Sequence, residues 1–462
     1  MSDSTAIPPD FSQQLLQLPL EDRKSLTILA ILQTPFREEE AKRFLLPDSV
    51  LTLDRWHELG LLQVQGADEQ GHSWFLVRPT VQHELLRRID ETKTQVLHLR
   101  AAEYYGCTFL NEAHRVLEAR GQTPSEETIA ALAWGEQGVL QSWTARDTSA
   151  GRWALQQGLE WQRHLFASRQ VQAAGQVINA LAPALLRGGK GDQAEVLLRQ
   201  GLAEQQGLLR ARTLTHLGMI RASKNEMREA FSFYDQAHQQ FVALGLKPQI
   251  ARAIERIAGL HATLRDHDQA IKKQEAALKM HRAGRDELGQ LTNLRQLATF
   301  YRNQGSHQTA LARSQDAEFL ARKLRNDQLS TVILNEQGII LLRLKRQSEA
   351  LEKFQRSLDI ARQIGNDNAV ADSLTAIGKT LFTENRLAEA RAALEESSAI
   401  RQRLQDPRWA ASLETLGLLD EQQGLFSAAL EKLQHARTLY EKAIPQALPQ
   451  IETHIARVQG KV

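Results

Sequence analysis

The chain has 462 residues, which is long enough for two or three domains. Hydrophobic residues make up 42% of it and aromatic residues only 6%, a balance that favours helices over sheets. The formal net charge of +2 does not require nucleic acid or a membrane surface as a partner, and the single cysteine, Cys107, excludes an intrachain disulfide.

The sequence shows no signal for membrane insertion or export. It contains no run of about 18 apolar residues, and its start, "MSDSTAIPPDFSQQ", lacks the basic and apolar regions of a secretion signal. A lone cysteine fits a reducing compartment. We therefore expect a cytoplasmic protein without a membrane partner.

Residues 1–19 are expected to form an N-terminal arm, and residues 20–91 a small domain. Three helical stretches come first, "LEDRKSLTILAIL", "REEEAKRFL" and "SVLTLDRWHEL". The stretches "GLLQVQ" and "SWFLVR" then have strand character, and "PTVQHELLRRI" places Pro79 near the start of a closing helix. Three helices, a two-stranded wing and a closing helix make a winged-helix pattern.

This pattern resembles the winged-helix module that follows the nucleotide-binding domain in STAND-type signalling ATPases. The resemblance rests on "LPLEDRKSLTILAIL", "LGLLQV" and "FLVRPTVQHELLRR". In that family, tetratricopeptide repeats often follow the module. The phosphate-binding pattern GxxxxGK[ST] occurs nowhere in the sequence, so the resemblance implies ancestry and architecture rather than ATP hydrolysis.

Residues 92–178 are helical by composition but do not follow the pattern of the later repeats. The stretch "TPSE" at 123–126 is typical of a helix start, with proline at the first helical position. We expect irregular helical hairpins here, with four tryptophans packed into their core. These are Trp134, Trp143, Trp153 and Trp161.

Residues 179–442 contain a repeat. An alanine follows a short turn in each of seven segments, at separations of 36, 40, 40, 40, 40 and 39 residues, and such a period indicates a solenoid of stacked units. The alanines are Ala194, Ala230, Ala270, Ala310, Ala350, Ala390 and Ala429.

Small residues recur in phase with these alanines, where two closely crossing helices would need them. Twelve positions earlier stand Ala182, Gly218, Ala258, Ala298, Gly338, Gly378 and Gly417. The turn lies five positions before each alanine, at Gly189, Asn225, Arg265, Gly305, Lys345, Asn385 and Gly424. Second breaks are expected between units, at Gly245, Gly284, Asn326, Gly365 and Asp406-Pro407.

The repeat resembles the tetratricopeptide repeat, in the longer variety with a period near 40. Three residues depart from its pattern: Gln337 replaces an expected leucine, and Gln274 and Ser314 replace expected bulky residues. The predicted fold is mainly α, a right-handed α-solenoid of about seven tetratricopeptide hairpins preceded by the small winged-helix domain. Residues 443–462 are expected to cap its C-terminal end.

The resemblance also implies a binding groove, because tetratricopeptide proteins typically bind partners along the concave face formed by the first helix of each hairpin. Carried over by register, the predicted partner-binding residues are Arg252, Arg295, Arg302, Asn303, Asn335, Arg343 and Lys379. Arg212 and Glu255 fall in the same register, with apolar Met219, Ile339, Leu342, Phe382 and Leu418. Arginine pairs with carboxylates and asparagine can hold a peptide backbone, so an acidic or amphipathic segment is the expected ligand.

No catalytic or metal-binding motif is present: HExxH, GxSxG and paired Cys/His spacings do not occur, and "RGGKGDQ" at 187–193 falls on an inter-helix turn. We therefore expect no enzyme and no cofactor. The favoured function is that of a scaffold, adaptor or regulatory subunit that binds a protein or peptide partner in the groove. Such a subunit would act within a signalling or defence complex. The oligomeric state does not follow from the sequence.

Two alternatives stay open at this point. The first is a transcriptional regulator that binds DNA through "SVLTLDRWHELG". That segment offers Arg55 and His57 but also Asp48, Asp54 and Glu58, so it lacks the basic excess that a groove-reading helix needs and argues against nucleic acid. The second is a switch in which a signal peptide changes the curvature of the solenoid.

Overall fold

The computed structural model describes residues 15, 17–32, 34–44, 53–67, 73–118 and 149–461. Trp134, Trp143 and the helix start at 123–126 lie outside these residues. The chain divides into two compact units, one up to Leu244 and one from Gly245, and each is described by itself.

The first unit begins with a small domain of helices and one strand pair. Its strands run antiparallel, with Leu62 opposite Val77, and Trp56 is fully buried in its core. A bulge follows Val64, at Gly66. The helices are Leu20–Leu29, Glu38–Phe44, Leu53–Glu58 and Pro79–Leu86, and the strands are Leu62–Ala67 and Ser73–Val77.

Two longer helices follow, Glu91–Glu118 and Ser149–Ala167, and a buried polar cluster joins them. His98 Nδ1 lies 2.8 Å from His164 Nδ1, and the Arg163 guanidinium donates to His164 Nε2. Burial lowers the pKa of His164 to about 2 and that of His98 to about 4, and the positive charge of the nearby Arg163 lowers both further. Both histidines are therefore neutral at pH 7. Trp161 packs on the same core, beside Phe109.

Helical hairpins make up the remainder of the first unit and nearly all of the second. In the first unit they are Val171–Arg187 with Gly191–Arg199, and Gly207–Ser223 with Met227–Ala243. In the second unit they are Lys247–Thr263 with His267–Ala283, Glu287–Gln304 with His307–Lys323, Asp327–Arg343 with Gln347–Gln363, Asp367–Thr383 with Leu387–Arg403, and Trp409–Gln422 with Phe426–Ala443. The predicted solenoid of helix–turn–helix repeats is thus confirmed.

The small residues lie where the two helices of a hairpin cross, as predicted. A Cβ atom added to Gly338 would lie 2.2 Å from Cε1 of Phe354, and one added to Gly378 would lie 2.5 Å from Cγ of Leu394. Both distances are far below van der Waals contact, so only glycine allows these helices to approach so closely.

The predicted turn residues are also confirmed, since all seven have positive φ. They are Gly189, Asn225, Arg265, Gly305, Lys345, Asn385 and Gly424. The predicted breaks between units also lie between hairpins, at Gly245, Gly284, Asn326, Gly365 and Asp406-Pro407. At three of them the residue with positive φ is the neighbour, Arg285, Arg325 or Gln405. Asn326 instead caps the next helix by accepting from the Leu329 amide, which is why it stands beside the break.

After the last hairpin, a short 3-10 turn, Pro445–Ala447, leads into the helix Leu448–Gln459. Ile451, Ile455 and Val458 of this helix are buried against the last hairpin, while its opposite side is polar and exposed. None of the helices in the described ranges has the length and apolarity needed to cross a bilayer.

Candidate functional site on the first helices of the second unit

All seven predicted binding residues belong to the second unit and lie on its first helices. The first helices Asp327–Arg343, Asp367–Thr383 and Trp409–Gln422 contact one another in order, and the second helices approach each other less closely. The first helices therefore lie on the inner side of this unit. We use the term inner face for the exposed and half-exposed side chains along this side, which include Arg252, Glu255, Arg295, Arg302, Asn303, Val332, Asn335, Glu336, Ile339, Leu342, Arg343, Asp372, Lys379 and Phe382.

At the N-terminal end of the inner face, the carboxylate of Glu255 is bound by side chains from two other helices. Oε1 of Glu255 lies 3.0 Å from Nε2 of His281 and accepts from Asn293 at 2.9 Å. The other ring nitrogen of His281 lies 2.9 Å from Oδ2 of Asp286. Hydrogen bonding to Glu255 raises the pKa of His281, with a further contribution from Asp286, and burial opposes the rise. Glu255 is thus engaged within the protein.

Asp372 and Glu414, nearer the C-terminal end of the second unit, also accept hydrogen bonds from side chains within the protein. Asp372 accepts from Arg401 at 2.6 Å and from Arg408 at 2.9 Å. Glu414 accepts from the Tyr440 hydroxyl at 2.8 Å and from Gln450 at 3.2 Å. These acidic groups therefore contribute little uncompensated negative charge to the inner face.

Two of the predicted binding residues also have partners within the protein. Arg295 donates to Glu336 at 2.9 Å, and Asn335 donates to the Ser373 hydroxyl at 3.0 Å. Burial raises the pKa of Glu336, an effect that Arg295 and Arg302 oppose. The interpretation of Arg295 and Asn335 as ligand anchors is thus weakened, because each already holds neighbouring hairpins together.

The other cations of the middle of the inner face are available. Among the described residues, the side chains of Arg302, Asn303, Arg343 and Lys379 have neither a hydrogen bond nor an ion pair, although Arg302 is near enough to Glu336, and Lys379 to Glu414, for their charges to interact. Arg252 is exposed on the first hairpin of the unit. The pKa of Lys379 is lowered, chiefly because surrounding protein displaces water and also because Arg401 is near, while Glu414 opposes this. An exposed ammonium with this shift occupies a recessed position.

Apolar side chains lie beside these cations. Ile339 is 41% exposed and Val332 is 38% exposed, while Leu342 and Phe382 are half-buried. Ile339 and Leu342 share one helix with Arg343, and Phe382 shares the next helix with Lys379. The middle of the inner face therefore combines uncompensated positive charge with exposed apolar area, as amphipathic partners require.

Sequence reasoning missed the pairing of the carboxylates. Some of their charged partners lie about one repeat away, for instance Arg408 for Asp372 and Arg295 for Glu336. A comparison of opposite charges 36 to 41 residues apart would have indicated such pairs, because the fixed period places those positions side by side.

Comparisons with known proteins agree with the repeat. A tetratricopeptide repeat family model matches residues 287–363 and 328–403. A search of curated proteins gave no significant match.

Solved structures with a similar fold include a Signal Transduction ATPase with Numerous Domains (STAND) protein with a tetratricopeptide repeat sensor, from Pyrococcus horikoshii. Its identity is 15% and its TM-score 0.56, over 99% of this chain and 68% of that one. Yeast Tom70 matches at 15% identity and a TM-score of 0.49, over 98% of this chain and 85% of that one, too weakly to support an argument. At such identities the likeness concerns the fold alone. Together with the observed hairpins, the family match identifies the repeats of residues 287–403 as tetratricopeptide repeats.

Proposed function

We propose that the protein is a non-enzymatic adaptor or regulatory subunit that binds an acidic, amphipathic segment of a protein partner on the inner face. One observation carries the proposal. The carboxylates Glu255, Asp372 and Glu414 accept hydrogen bonds within the protein, whereas the side chains of Arg302, Arg343 and Lys379 make no hydrogen bond or ion pair among the described residues. A ligand carboxylate would thus meet cations that need not first break an ion pair.

The apolar residues define the rest of the ligand. Ile339, Leu342 and Phe382 lie along the same stretch as the cations and offer area for two or three hydrophobic side chains. Arg252, Arg295, Asn303 and Asn335 would contact the ends or backbone of the segment. Because the acidic groups of the face are already neutralised, a basic segment would find no free carboxylate there, and this gives the site its selectivity.

The architecture supports a role in a larger assembly. The small N-terminal domain, with its helices and strand pair, fits a winged-helix-like module, and the STAND protein from Pyrococcus horikoshii combines an ATPase with a tetratricopeptide repeat sensor. We propose that this chain acts in the cytoplasm within a signalling or defence complex. A constitutive adaptor and a peptide-driven switch are both compatible with the inner face.

The DNA-binding alternative is disfavoured by the contacts of its candidate helix, Leu53–Glu58. Arg55 lies 3.6 Å from Asp22, and His57 Nδ1 lies 3.3 Å from the carbonyl of Leu62. Arg55 is thus near a carboxylate, and the same helix also carries Asp54 and Glu58, which leaves little net positive charge to meet phosphates.

The test compares two triple charge reversals. Arg302→Glu, Arg343→Glu and Lys379→Glu alter the inner face, while Lys272→Glu, Lys279→Glu and Arg282→Glu make the same change in net charge on the helix His267–Ala283. Partners are captured with the full chain from its native cells and quantified by mass spectrometry, and thermal unfolding checks each variant. We expect the first set alone to lose the captured partner. Equal capture by all three proteins would refute the inner face as the binding site.

A further inference from the structure

A second groove lies in the first unit, apart from the inner face. It runs between the helix Leu20–Leu29, the residues that follow the helix Pro79–Leu86, and the start of the helix Glu91–Glu118, with a volume of about 740 Å³. This size is in the range of binding pockets, about 300–1,000 Å³.

The floor and edges of the groove are apolar. Leu15 and Leu85 are buried at its floor, with Ile28 beside them. At its edges Leu20 is 58% exposed and Val96 is 61% exposed. Two large aliphatic side chains left in water at the edges of a recessed apolar floor indicate a surface that another chain covers.

The charged residues around the groove are mainly basic. The lining includes Arg23, Lys24, Arg88 and Lys93 but only one carboxylate, Glu21. Three of these cations are paired within the protein: Lys24 with Glu21 at 2.8 Å, Arg88 with Glu84 at 2.5 Å and Lys93 with Asp90 at 3.2 Å. Arg23 has no ion pair among the described residues, and its Nε is buried without a hydrogen-bond acceptor there. A buried donor without an acceptor is unfavourable, and a carboxylate from an occupant would supply the missing acceptor.

We infer that this groove binds an amphipathic helix of a partner protein that presents an apolar stripe flanked by glutamate or aspartate. The apolar stripe would cover Leu20, Ile28 and Val96, and an acidic side chain would accept from Arg23. An anionic membrane offers similar chemistry, but a lipid surface cannot follow a floor recessed between helices, whereas the projecting side chains of a helix can.

The inference does not depend on the proposed function of the second unit. The groove and the inner face belong to different units and share no residue. A chain with both surfaces would have two docking sites, which suits an adaptor, but either site could be lost without the other.

The test uses the full chain with Arg302→Glu, Arg343→Glu and Lys379→Glu, so that the inner face does not take up an acidic helix, and two fluorescein-labelled helical peptides of about four turns. Both carry leucine at every third or fourth position, and one has glutamate on its flanks where the other has lysine. Binding is measured by fluorescence anisotropy. We expect the glutamate peptide to bind at least about tenfold more tightly than the lysine peptide.

Three variants locate the binding. Val96→Glu places a charge at the apolar edge and should weaken binding of the glutamate peptide by about tenfold or more. Leu99→Glu is the matched control, because Leu99 is 40% exposed on the same helix and does not line the groove, and it should leave binding unchanged. Arg23→Glu should reverse the preference in favour of the lysine peptide. Thermal unfolding confirms that each variant is folded.

Several results would overturn the inference. These are equal binding of both peptides, no binding of either, equal weakening by Val96→Glu and Leu99→Glu, and binding of phosphatidylserine vesicles that Val96→Glu abolishes. A synthetic peptide of residues 1–14 that displaced the probe would also overturn it, because the occupant would then be a segment of this chain.

Discussion

Two successive hairpins of the second unit have different residue pairs at the point where their two helices cross. In Asp327–Gln363 a bulky Phe354 crosses Gly338, whereas in Glu287–Lys323 the corresponding residues are the small Ser314 and Ala298. All four are buried. In Glu287–Lys323 the first helix has a Cβ at the crossing, and the second helix has a small side chain there instead of an aromatic ring. The two positions are therefore constrained as a pair.

This comparison explains the residues that departed from the repeat pattern. Ser314 and Gln274 both stand opposite an alanine rather than a glycine, Ala298 and Ala258 respectively. Gln274 donates to Gln296 at 2.8 Å, and Gln337 donates to the backbone oxygen of Ser314 at 3.1 Å. Polar side chains thus fill the space that an aromatic ring takes in another hairpin, and the hydrogen bond of each amide nitrogen offsets part of the cost of burial. Oε1 of Gln274, Oε1 of Gln337 and Oγ of Ser314 have no hydrogen-bond partner among the described residues.

The largest expected loss of stability comes from adding a Cβ at Gly338, which lies opposite Phe354. Gly338→Ala should lower the free energy of unfolding by about 3 kcal/mol, because the new Cβ overlaps the Phe354 ring. Adding Phe354→Leu should recover much of this loss, since Ala182 stands opposite Leu198 in an earlier hairpin. Chemical denaturation measures both. As a control, Gly259→Ala faces open space and should stabilise by about 0.5–1 kcal/mol. A Gly338→Ala variant with an unchanged free energy of unfolding would contradict the packing argument.

The opposite substitution, a small residue replaced by an aromatic one, tests the same constraint in the hairpin Glu287–Lys323. Ser314→Phe should destabilise by about 2 kcal/mol, because the Cβ of Ala298 occupies the space that the ring would need. Ala298→Gly combined with Ser314→Phe should cost less than Ser314→Phe alone, although glycine in a helix is itself unfavourable by about 1 kcal/mol. Denaturation curves of the single and double variants give the coupling energy, and strictly additive effects would contradict the paired constraint.

A third contrast concerns a position occupied by Ala321 and Ala361 in these two hairpins and by His281 in the preceding one. His281 is buried between Glu255 and Asp286, and its pKa is raised above 6.5. Its contribution to stability is therefore fully present below the unfolded pKa and is lost as the pH rises through the folded one. The wild type should lose more thermal stability than His281→Gln on going from about pH 6 to about pH 9. Parallel pH profiles would show that His281 is not the titrating group.

The smallest expected effect lies at the turns of the two hairpins. Gly305 and Lys345 occupy the same position, with φ of 95° and 60°. A side chain in this left-handed conformation costs about 1 kcal/mol, so Lys345→Gly should raise the unfolding free energy by up to that amount. Gly305→Ala should lower it by a similar amount. Opposite signs are the decisive result, and both values come from the same denaturation assay.

The sequence by itself determined the hairpins, because their requirements are local and periodic. Small residues at fixed spacing, such as Gly338 and Ala350, and turn residues such as Asn225 predicted the helices and the left-handed turns. The predicted breaks lie between the hairpins, but the sequence did not show which residue takes the left-handed conformation: Asn326 is the helix cap, and the arginine before it, Arg325, has the positive φ. Composition alone does not reveal that arginine can stand there.

Only the tertiary structure decided which charges of the inner face are available. The sequence placed Arg295, Arg302 and Arg343 in equivalent roles, yet Arg295 is bound to Glu336 while the other two have no ion pair among the described residues. The difference depends on which side chains from hairpins about 40 residues away come within hydrogen-bonding distance. A repeat fixes the spacing of its helices, but the chemistry of each site is set by the neighbours that the stacking brings to it.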